Sequence, residues 1–160
     1  MPRGLDKIDL QILQHLQIKG RAQRNKLSEI VGLSVPSVSE RMRKLEEKDL
    51  IQGYHAELNA KKFNFDITAF VFVEVDGSSN YKNIVEKARE ETEILECHSI
   101  TGNGSHLLKI RSKNTETFEE LLSKIQSWEG VKQTRSNIVL SSYKETHNIP
   151  VEKTIELKDK

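Results

Sequence analysis

The chain has 160 residues, of which 36% are hydrophobic and 31% charged, with a formal net charge of +1 at pH 7. That length accommodates one domain or two small ones, and the near-neutral balance argues against a protein coated with nucleic-acid-binding surface. The single cysteine, Cys97, excludes an intramolecular disulfide. No signal peptide and no apolar run of about 18 residues is recognisable, so we expect a soluble, cytoplasmic protein with no membrane partner.

The charge is distributed unevenly along the chain. Residues 1–62 contain 12 Lys and Arg against 8 Asp and Glu, whereas residues 63–142 contain 9 against 12. A basic excess is typical of a surface that meets nucleic acid. The N-terminal part is therefore the candidate for such a surface.

The first predicted helix begins after residue 6. Leu5 and Asp6 have the character of a hydrophobic staple residue and an N-cap, and an apolar face with helical spacing follows. Its members are Ile8, Ile12, Leu13 and Leu16.

A pair of short helices is predicted between Lys26 and Ile51. Leu27, Ile30 and Val31 form the apolar face of the first, which Gly32 ends as a left-handed residue. Gln23 stands where a serine or threonine cap would begin that helix more sharply. Ser34 as N-cap and Pro36 in the first turn begin the second helix.

The second helix of the pair carries two adjacent stripes. Val38, Met42 and Leu45 fall on one face, and a polar stripe lies about a quarter turn away, formed by Ser37, Arg41, Lys44 and Lys48. Two helices joined by a short glycine-containing turn are typical of a helix-turn-helix, whose second helix enters the major groove of DNA. The alternative is solvated surface charge, in which Arg43 pairs with Glu46 or Glu47.

Residues 52–58 read as a turn and a short strand, resembling the wing of a winged helix, and Lys61 and Lys62 follow as a basic linker. The sequence then changes character. Strand patterns at 68–75, 94–101, 106–111 and 134–140 alternate with helical patterns around Tyr81–Ala88 and Phe118–Ile125. The order βαββαβ is of the ferredoxin-like type.

A four-stranded sheet with both helices on one side has an open second face. Phe70 and Phe72 alternate with Val71 and Val73, so both faces of the first strand are apolar. We therefore predict that two sheets pack together in a homodimer, which also suits a helix-turn-helix reading two half-sites.

Five segments occur in an order that identifies a family: LDKIDLQIL, GR, LSEIVGLS, SERMRKLEEKDLI and GVKQTRSNIVLSSYKET. From residue 5 to about residue 150 the chain resembles the Lrp/AsnC, or feast/famine, transcriptional regulators. The resemblance implies an α+β protein, with an N-terminal winged helix-turn-helix followed by a ferredoxin-like βαββαβ regulatory domain (RAM, or AsnC-type). The predicted ranges are 1–52 for the DNA-binding domain, 53–65 for the wing strand and linker, 66–142 for the dimerisation and effector domain, and 143–160 for the tail.

The resemblance also implies the partners, while the DNA contacts follow from the polar stripe and cap of the second helix. It implies a sequence-specific regulator that binds double-stranded DNA, forms homodimers and higher oligomers (tetramers or octamers), and responds to a small effector such as an amino acid. The predicted DNA contacts are Ser34, Ser37, Ser39, Arg41, Arg43, Lys44 and Lys48.

Effectors in this family lie between subunits, near the turn joining the second and third strands. The candidate residues here are Gly102, Asn103, Gly104, Ser105, Thr134 and Ser136. Many members have aspartates in this turn, where this chain has Asn103 and Ser105. A neutral pair cannot offer a charge-assisted hydrogen bond to an ammonium, so we expect an ordinary amino acid to be a poorer effector here than in the family at large. A simple hairpin turn is the alternative.

We predict no metal site and no cofactor. Cys97 and His98 are adjacent in a strand and point to opposite faces, which separates them from a shared ion with His106. Trp128 is predicted to belong to the core. No catalytic motif is present, so we expect no enzyme, but two alternatives stay open. One is an enzyme resembling the sirohaem decarboxylases, with His98, His106 and Arg135 as candidates, and the other is an effector sensor acting through partner regulators.

Overall fold

The computed structural model describes residues 5–102 and 104–151. Of these residues, those up to Glu57 and those from Lys144 onward form one compact unit, and Leu58–Tyr143 form a second. Within the described ranges, no helix combines the length and apolar character needed to cross a membrane.

The first unit contains three helices, α1 (Lys7–Ile18), α2 (Arg24–Val31) and α3 (Val35–Glu47). Asp6 caps α1 as predicted: its carboxylate accepts the Asp9 backbone N–H at 2.9 Å, and the Asp9 carboxylate accepts the Asp6 N–H at 3.2 Å. This reciprocal arrangement is a capping box, which satisfies two amides that the helix itself leaves free.

The boundaries of α2 and α3 also follow the sequence prediction. Gly32 ends α2 in the left-handed region with φ 67°, and Gln23 offers α2 no side-chain cap. The Ser34 hydroxyl accepts the Ser37 N–H at 3.4 Å, and proline lies in the first turn of α3. The buried core of this unit comprises Ile12, Leu13, Leu16, Leu27, Val38, Met42 and Leu45. The predicted apolar stripe of α3 is therefore confirmed as the face that packs inward.

The structure corrects the prediction of a short strand within residues 52–58. Residues 52–59 form no strand, and a 3-10 helix follows at Ala60–Phe63, over the lysines predicted as a linker. A strand needs a neighbour for its backbone hydrogen bonds, and within the described residues the paired strands belong to one sheet further along the chain. Tyr54 in this segment instead donates its hydroxyl to Glu46 at 2.9 Å.

The second unit is the predicted βαββαβ arrangement. Its elements are β1 (Ile67–Val75), α4 (Tyr81–Glu90), β2 (Ile94–Ser99), β3 (His106–Ser112), α5 (Thr115–Gln126) and β4 (Val131–Ile138). The strand order is β2-β3-β1-β4, and every neighbouring pair is antiparallel. The chain is thus an α+β protein with a ferredoxin-like second unit.

One face of this sheet is buried under α4 and α5. Alternate residues Ala69, Val71 and Val73 of β1 are fully buried in a cluster with Ile84 of α4 and Ile125 of α5. Trp128 belongs to the same cluster, as predicted. The residues between them in β1, Phe70 and Phe72, therefore lie on the opposite face and remain partly exposed.

Candidate nucleic-acid interface and sheet cleft

The outer side of α3 carries hydroxyl and basic side chains. Ser37, Arg43, Lys44 and Lys48 are exposed, and Ser39 is half-buried. At the start of the helix, the hydroxyls of Ser34 and Ser37 lie 2.8 Å apart and share a hydrogen bond. A helix N-terminus with exposed hydroxyls can approach base edges, and the basic side chains along the helix can reach phosphates.

Glutamates accompany the basic residues of this face. Arg43 donates to both carboxylate oxygens of Glu40, at 2.9 and 2.6 Å, and also pairs with Glu47. Lys44 lies 3.5 Å from Glu40. Hydrogen bonding from Arg43 lowers the pKa of Glu40 to about 2, so this carboxylate is ionised at neutral pH. The surface-pair alternative is thus partly realised, although exposed pairs of this kind are weak and exchange readily for other partners.

Arg41 has a different environment from the other basic residues of α3. One guanidinium nitrogen lies 2.7 Å from an oxygen of Asp6 and 2.7 Å from an oxygen of Asp9, and its side chain is only 29% exposed. The carboxylates of Asp9 and then Asp6 raise the pKa of Arg41. The sequence pattern did not indicate these partners, which precede Arg41 by more than 30 residues.

The second unit has a cleft of about 490 Å³ at one end of the open face of its sheet. It is bounded by β1, the turn between β2 and β3, the start of α4, and β4. The lining residues are Phe72, Glu74, Val75, Tyr81, Ile100, Gly102, Gly104, Ser105, Gln133 and Arg135.

The turn is held against β1 by backbone and hydroxyl contacts. Ser105 donates both its N–H, at 2.9 Å, and its hydroxyl, at 3.1 Å, to the carbonyl of Val73. Gly104 has φ 122°, and a side chain there would approach the same carbonyl to 3.3 Å. Only glycine adopts this conformation readily, so the close approach of turn and strand explains why glycine is present.

Three of the six predicted effector residues, Gly102, Gly104 and Ser105, line the cleft. Asn103 lies outside the described residues. Thr134 points to the other face, where it accepts a hydrogen bond from Gln126 of α5 at 2.9 Å, and Ser136 shares that face because strand residues alternate. These two are therefore not brought to the cleft.

The charged residues of the cleft, Glu74 and Arg135, were not among the predicted effector residues, and Arg135 was named only for the enzyme alternative. The Arg135 guanidinium lies 4.9 Å from the centre of the Phe72 ring, a cation–π contact, and Glu74 faces Gln133 across the β1–β4 ladder. These residues converge only once the register of β1 and β4 is known. Alternation along TRSNIVL could have separated Arg135 from Thr134, but could not say which face was open.

The histidines and the cysteine do not converge. His106 is buried on the helix-covered side, with its ring edge-on to Tyr81 at 4.8 Å, whereas His98 is exposed and pairs with Glu96 at 3.0 Å. Cys97 packs against the core cluster. Among the described residues, no three His, Cys, Asp or Glu side chains are grouped so as to hold a metal ion.

A helix-turn-helix with a basic outer side, followed along the chain by a sheet domain with a cleft, is typical of a transcriptional regulator. The family model for winged helix-turn-helix DNA-binding matches residues 5–52, and the model for the Lrp/AsnC ligand binding domain matches residues 68–149. The chain belongs to the Lrp/AsnC family of DNA-binding transcriptional regulators. The family consists of regulators, not enzymes, which removes the support for the sirohaem-decarboxylase alternative.

Relatives match over nearly the whole chain. The HTH-type transcriptional regulator FL11 of Pyrococcus furiosus is 34% identical over 92% of this chain and 97% of its own length. The leucine-responsive regulatory protein of Escherichia coli is 34% identical over 93% of each chain. A transcriptional regulator from Neisseria meningitidis, solved as a complex with L-methionine, has a TM-score of 0.89 at 30% identity and covers 94% of this chain and 99% of its own. A feast or famine regulatory protein from Mycobacterium tuberculosis, also complexed with L-methionine, has a TM-score of 0.85 at 30% identity, over 91% and 98%.

Proposed function

We propose that this regulator reads double-stranded DNA in the cytoplasm with the outer side of α3, and that an amino acid bound in the sheet cleft modulates it. The observation that carries the DNA surface is the arrangement of α3: its apolar stripe is fully used in the core, while hydroxyl and basic side chains remain accessible on the other side.

The proposed contacts divide by chemistry. Hydroxyls near the helix N-terminus suit base edges and nearby phosphates, whereas basic side chains further along suit phosphates. The hydroxyl contacts are Ser34, Ser37 and Ser39, and the basic ones are Arg43, Lys44 and Lys48. The remaining predicted contact, Arg41, already has two carboxylate partners.

Selection of bound duplexes from a random pool tests this assignment. We expect wild type to enrich a preferred sequence, and Ser37→Ala to relax the preference at a small number of positions, because a base contact is lost. Ser123→Ala is the control, since Ser123 is an exposed serine of α5 in the other unit. Identical enriched sequences for wild type and Ser37→Ala would remove Ser37 from the reading surface.

An amino-acid effector is supported by the charges of the cleft. Arg135 offers a guanidinium for a carboxylate, and Glu74 offers a carboxylate for an ammonium, which compensates for the aspartates that the turn lacks. The cleft volume of about 490 Å³ is within the range of small-molecule sites. The L-methionine complexes of two relatives support the same ligand class.

Calorimetric titration with L-methionine tests this site. We expect binding by wild type and a loss of about tenfold or more in Arg135→Ala, because a charge-assisted hydrogen bond contributes about 1.5–3 kcal/mol. Lys82→Ala is the matched control, since Lys82 is 87% exposed and does not line the cleft. Equal affinity in Arg135→Ala and Lys82→Ala would contradict the site.

Self-association is proposed through the open face of the sheet. Phe70, Phe72 and Leu107 lie there partly exposed. A second copy covering this face would bury them, giving a homodimer that can build tetramers or octamers. In sedimentation experiments, we expect Phe70→Asp to shift the protein toward monomer and Ile18→Asp, on α1, to leave it associated. A wild-type monomer would refute this proposal.

A further inference from the structure

Arg41 connects two helices of the first unit through charged hydrogen bonds. Its terminal nitrogen Nη1 donates one hydrogen bond to Asp6 Oδ2 and one to Asp9 Oδ1, each at 2.7 Å. Asp6 is the N-cap of α1 and Asp9 lies in its first turn, whereas Arg41 lies in the middle of α3. The contact therefore spans from the start of one helix to the centre of the other.

The same two carboxylates form the capping box of α1, and the two tasks use different oxygens. Asp6 accepts the Asp9 N–H with Oδ1 and Arg41 with Oδ2, while Asp9 accepts the Asp6 N–H with Oδ2 and Arg41 with Oδ1. All four carboxylate oxygens are thus engaged. Partial burial would raise the pKa of Asp6, but the hydrogen bonds from the Asp9 N–H and from Arg41 outweigh it and lower that pKa, so the Asp6 carboxylate is ionised at neutral pH.

Apolar residues of α1 and α3 also pack together in the core, among them Ile12, Val38 and Met42. Apolar packing is strong but non-directional, whereas a charged hydrogen bond with two acceptors defines an orientation. We propose that Arg41 is a positioning residue that sets the orientation of α3 against α1 and so aims the reading surface, rather than a phosphate contact. This inference rests on the proposed DNA-binding side of α3.

Binding a phosphate would require Arg41 to leave both carboxylates. The Asp9 side chain is only 12% exposed, so it would be left largely buried without its cation, which is costly. Lys48 has no such commitment: it is exposed, and no ion pair to it is found among the described residues. Arg41 thus acts as a structural cation, whereas Lys48 is available to bind a phosphate of DNA.

The salt dependence of DNA affinity distinguishes the two roles. With a duplex enriched by wild type, log affinity is measured against log salt for wild type, Arg41→Met and Lys48→Ala. Each lost phosphate contact reduces the slope by about 0.9. We expect Lys48→Ala to show that reduction, and Arg41→Met to keep the wild-type slope while losing affinity about tenfold at every salt concentration, as when a base contact is misaligned. A slope reduced by about 0.9 in Arg41→Met would overturn the proposal.

Asp9→Asn is a second variant, for which the two possible roles of Arg41 predict opposite changes in DNA affinity. If Arg41 were a phosphate contact, removing one of its two carboxylate partners would make it more available to DNA and strengthen DNA binding. If Arg41 is a positioning residue, Asp9→Asn weakens one of the two contacts that hold it. We therefore expect weaker DNA binding with an unchanged slope of log affinity against log salt. Stronger binding by Asp9→Asn would contradict the positioning role.

A measurement without DNA keeps this inference separate from the proposed DNA surface. Residual dipolar couplings of the full-length protein report the angle between α1 and α3, and we expect it to change in Arg41→Met but not in Lys48→Ala. An unchanged angle in a folded Arg41→Met would overturn the positioning role even if DNA binding were weakened. A changed angle in a protein whose wild type bound no DNA would uphold it while refuting the reading surface.

Discussion

The outer side of α3 and the cleft of the sheet unit differ in how many elements build them. The reading surface comes from one helix and the cap that begins it, so every member lies within 15 consecutive residues, from Ser34 to Lys48. The cleft draws on β1, α4, the β2–β3 turn and β4, and its members span from Phe72 to Arg135. A surface on one helix tolerates change elsewhere provided that the helix is held, whereas a cleft of this kind depends on several backbone positions at once.

The largest expected effect comes from the core beneath the reading surface. Leu27 of α2 is fully buried, so Leu27→Ala should lower the free energy of unfolding of the helical unit by about 2–5 kcal/mol. DNA binding should weaken with it, while binding of L-methionine is retained. Urea unfolding and the two titrations measure this. Ile30→Ala, on the same helix but 40% exposed, is the control, and an equal loss in both variants would contradict the assigned core.

A substitution in the β2–β3 turn should weaken L-methionine binding but not DNA binding, the reverse of Leu27→Ala. Gly104→Ala places a side chain at φ 122° and 3.3 Å from the Val73 carbonyl, at a cost of about 1–3 kcal/mol. We expect L-methionine binding to weaken while DNA affinity is kept. Gly102→Ala is the matched control, because φ there is also positive, at 99°, but nothing lies within 4 Å of the added carbon. A larger loss in Gly102→Ala than in Gly104→Ala would contradict the steric origin of the effect, and unchanged L-methionine binding in both variants would argue against the turn as a wall of the cleft.

Substitutions at two helix caps should change the stability of the helical unit by smaller amounts and in opposite directions. Ser34→Ala removes the α3 cap and should cost about 1 kcal/mol in thermal unfolding. Gln23→Ser should stabilise α2 by a comparable amount, because position 23 has extended backbone and lacks a side-chain cap. If Gln23→Ser does not raise the melting temperature, the uncapped start of α2 is not a weak point.

The smallest expected effect is a pH dependence of the sheet unit. Burial lowers the pKa of His106 below its ordinary 6.5. Below about pH 6.5 the unfolded chain therefore binds a proton that the folded chain does not, and stability falls as pH falls until the folded-state pKa is reached. His106→Phe should remove this contribution in urea unfolding at several pH values, while the exposed His98→Phe should retain it. An unaltered pH profile in His106→Phe would be inconsistent with this origin.

Local signals in the sequence were sufficient for the helical surface. Asp6, Ser34 and Gly32 act through neighbours within a few residues, and their roles as caps are confirmed. The order of strands and helices also follows from local alternation and helical spacing. β4 begins at Val131 rather than at the predicted position 134. Its first three residues do not alternate regularly between apolar and polar, so the sequence pattern did not include them.

Contacts between distant residues account for what could not be predicted. The partners of Arg41 lie 32 and 35 residues earlier, and no pattern within α3 indicates them. Thr134 was predicted for the cleft, but Arg135 lies there. Alternation along the strand puts these two residues on opposite faces, and only the register of β4 against β1, together with the helices that cover one face, shows which face is open. The short strand predicted within residues 52–58 had suitable residues but no partner strand in the part of the chain that the structure describes.

Hydrogen exchange of the full-length protein with and without its enriched duplex tests the central claim most directly. The claim is that DNA is read by α3 while the sheet cleft is a separate ligand site. We predict that DNA slows exchange in peptides covering residues 34–48, and that L-methionine slows exchange around residues 100–106. Protection by DNA confined to residues 100–106, with none in α3, would contradict the account.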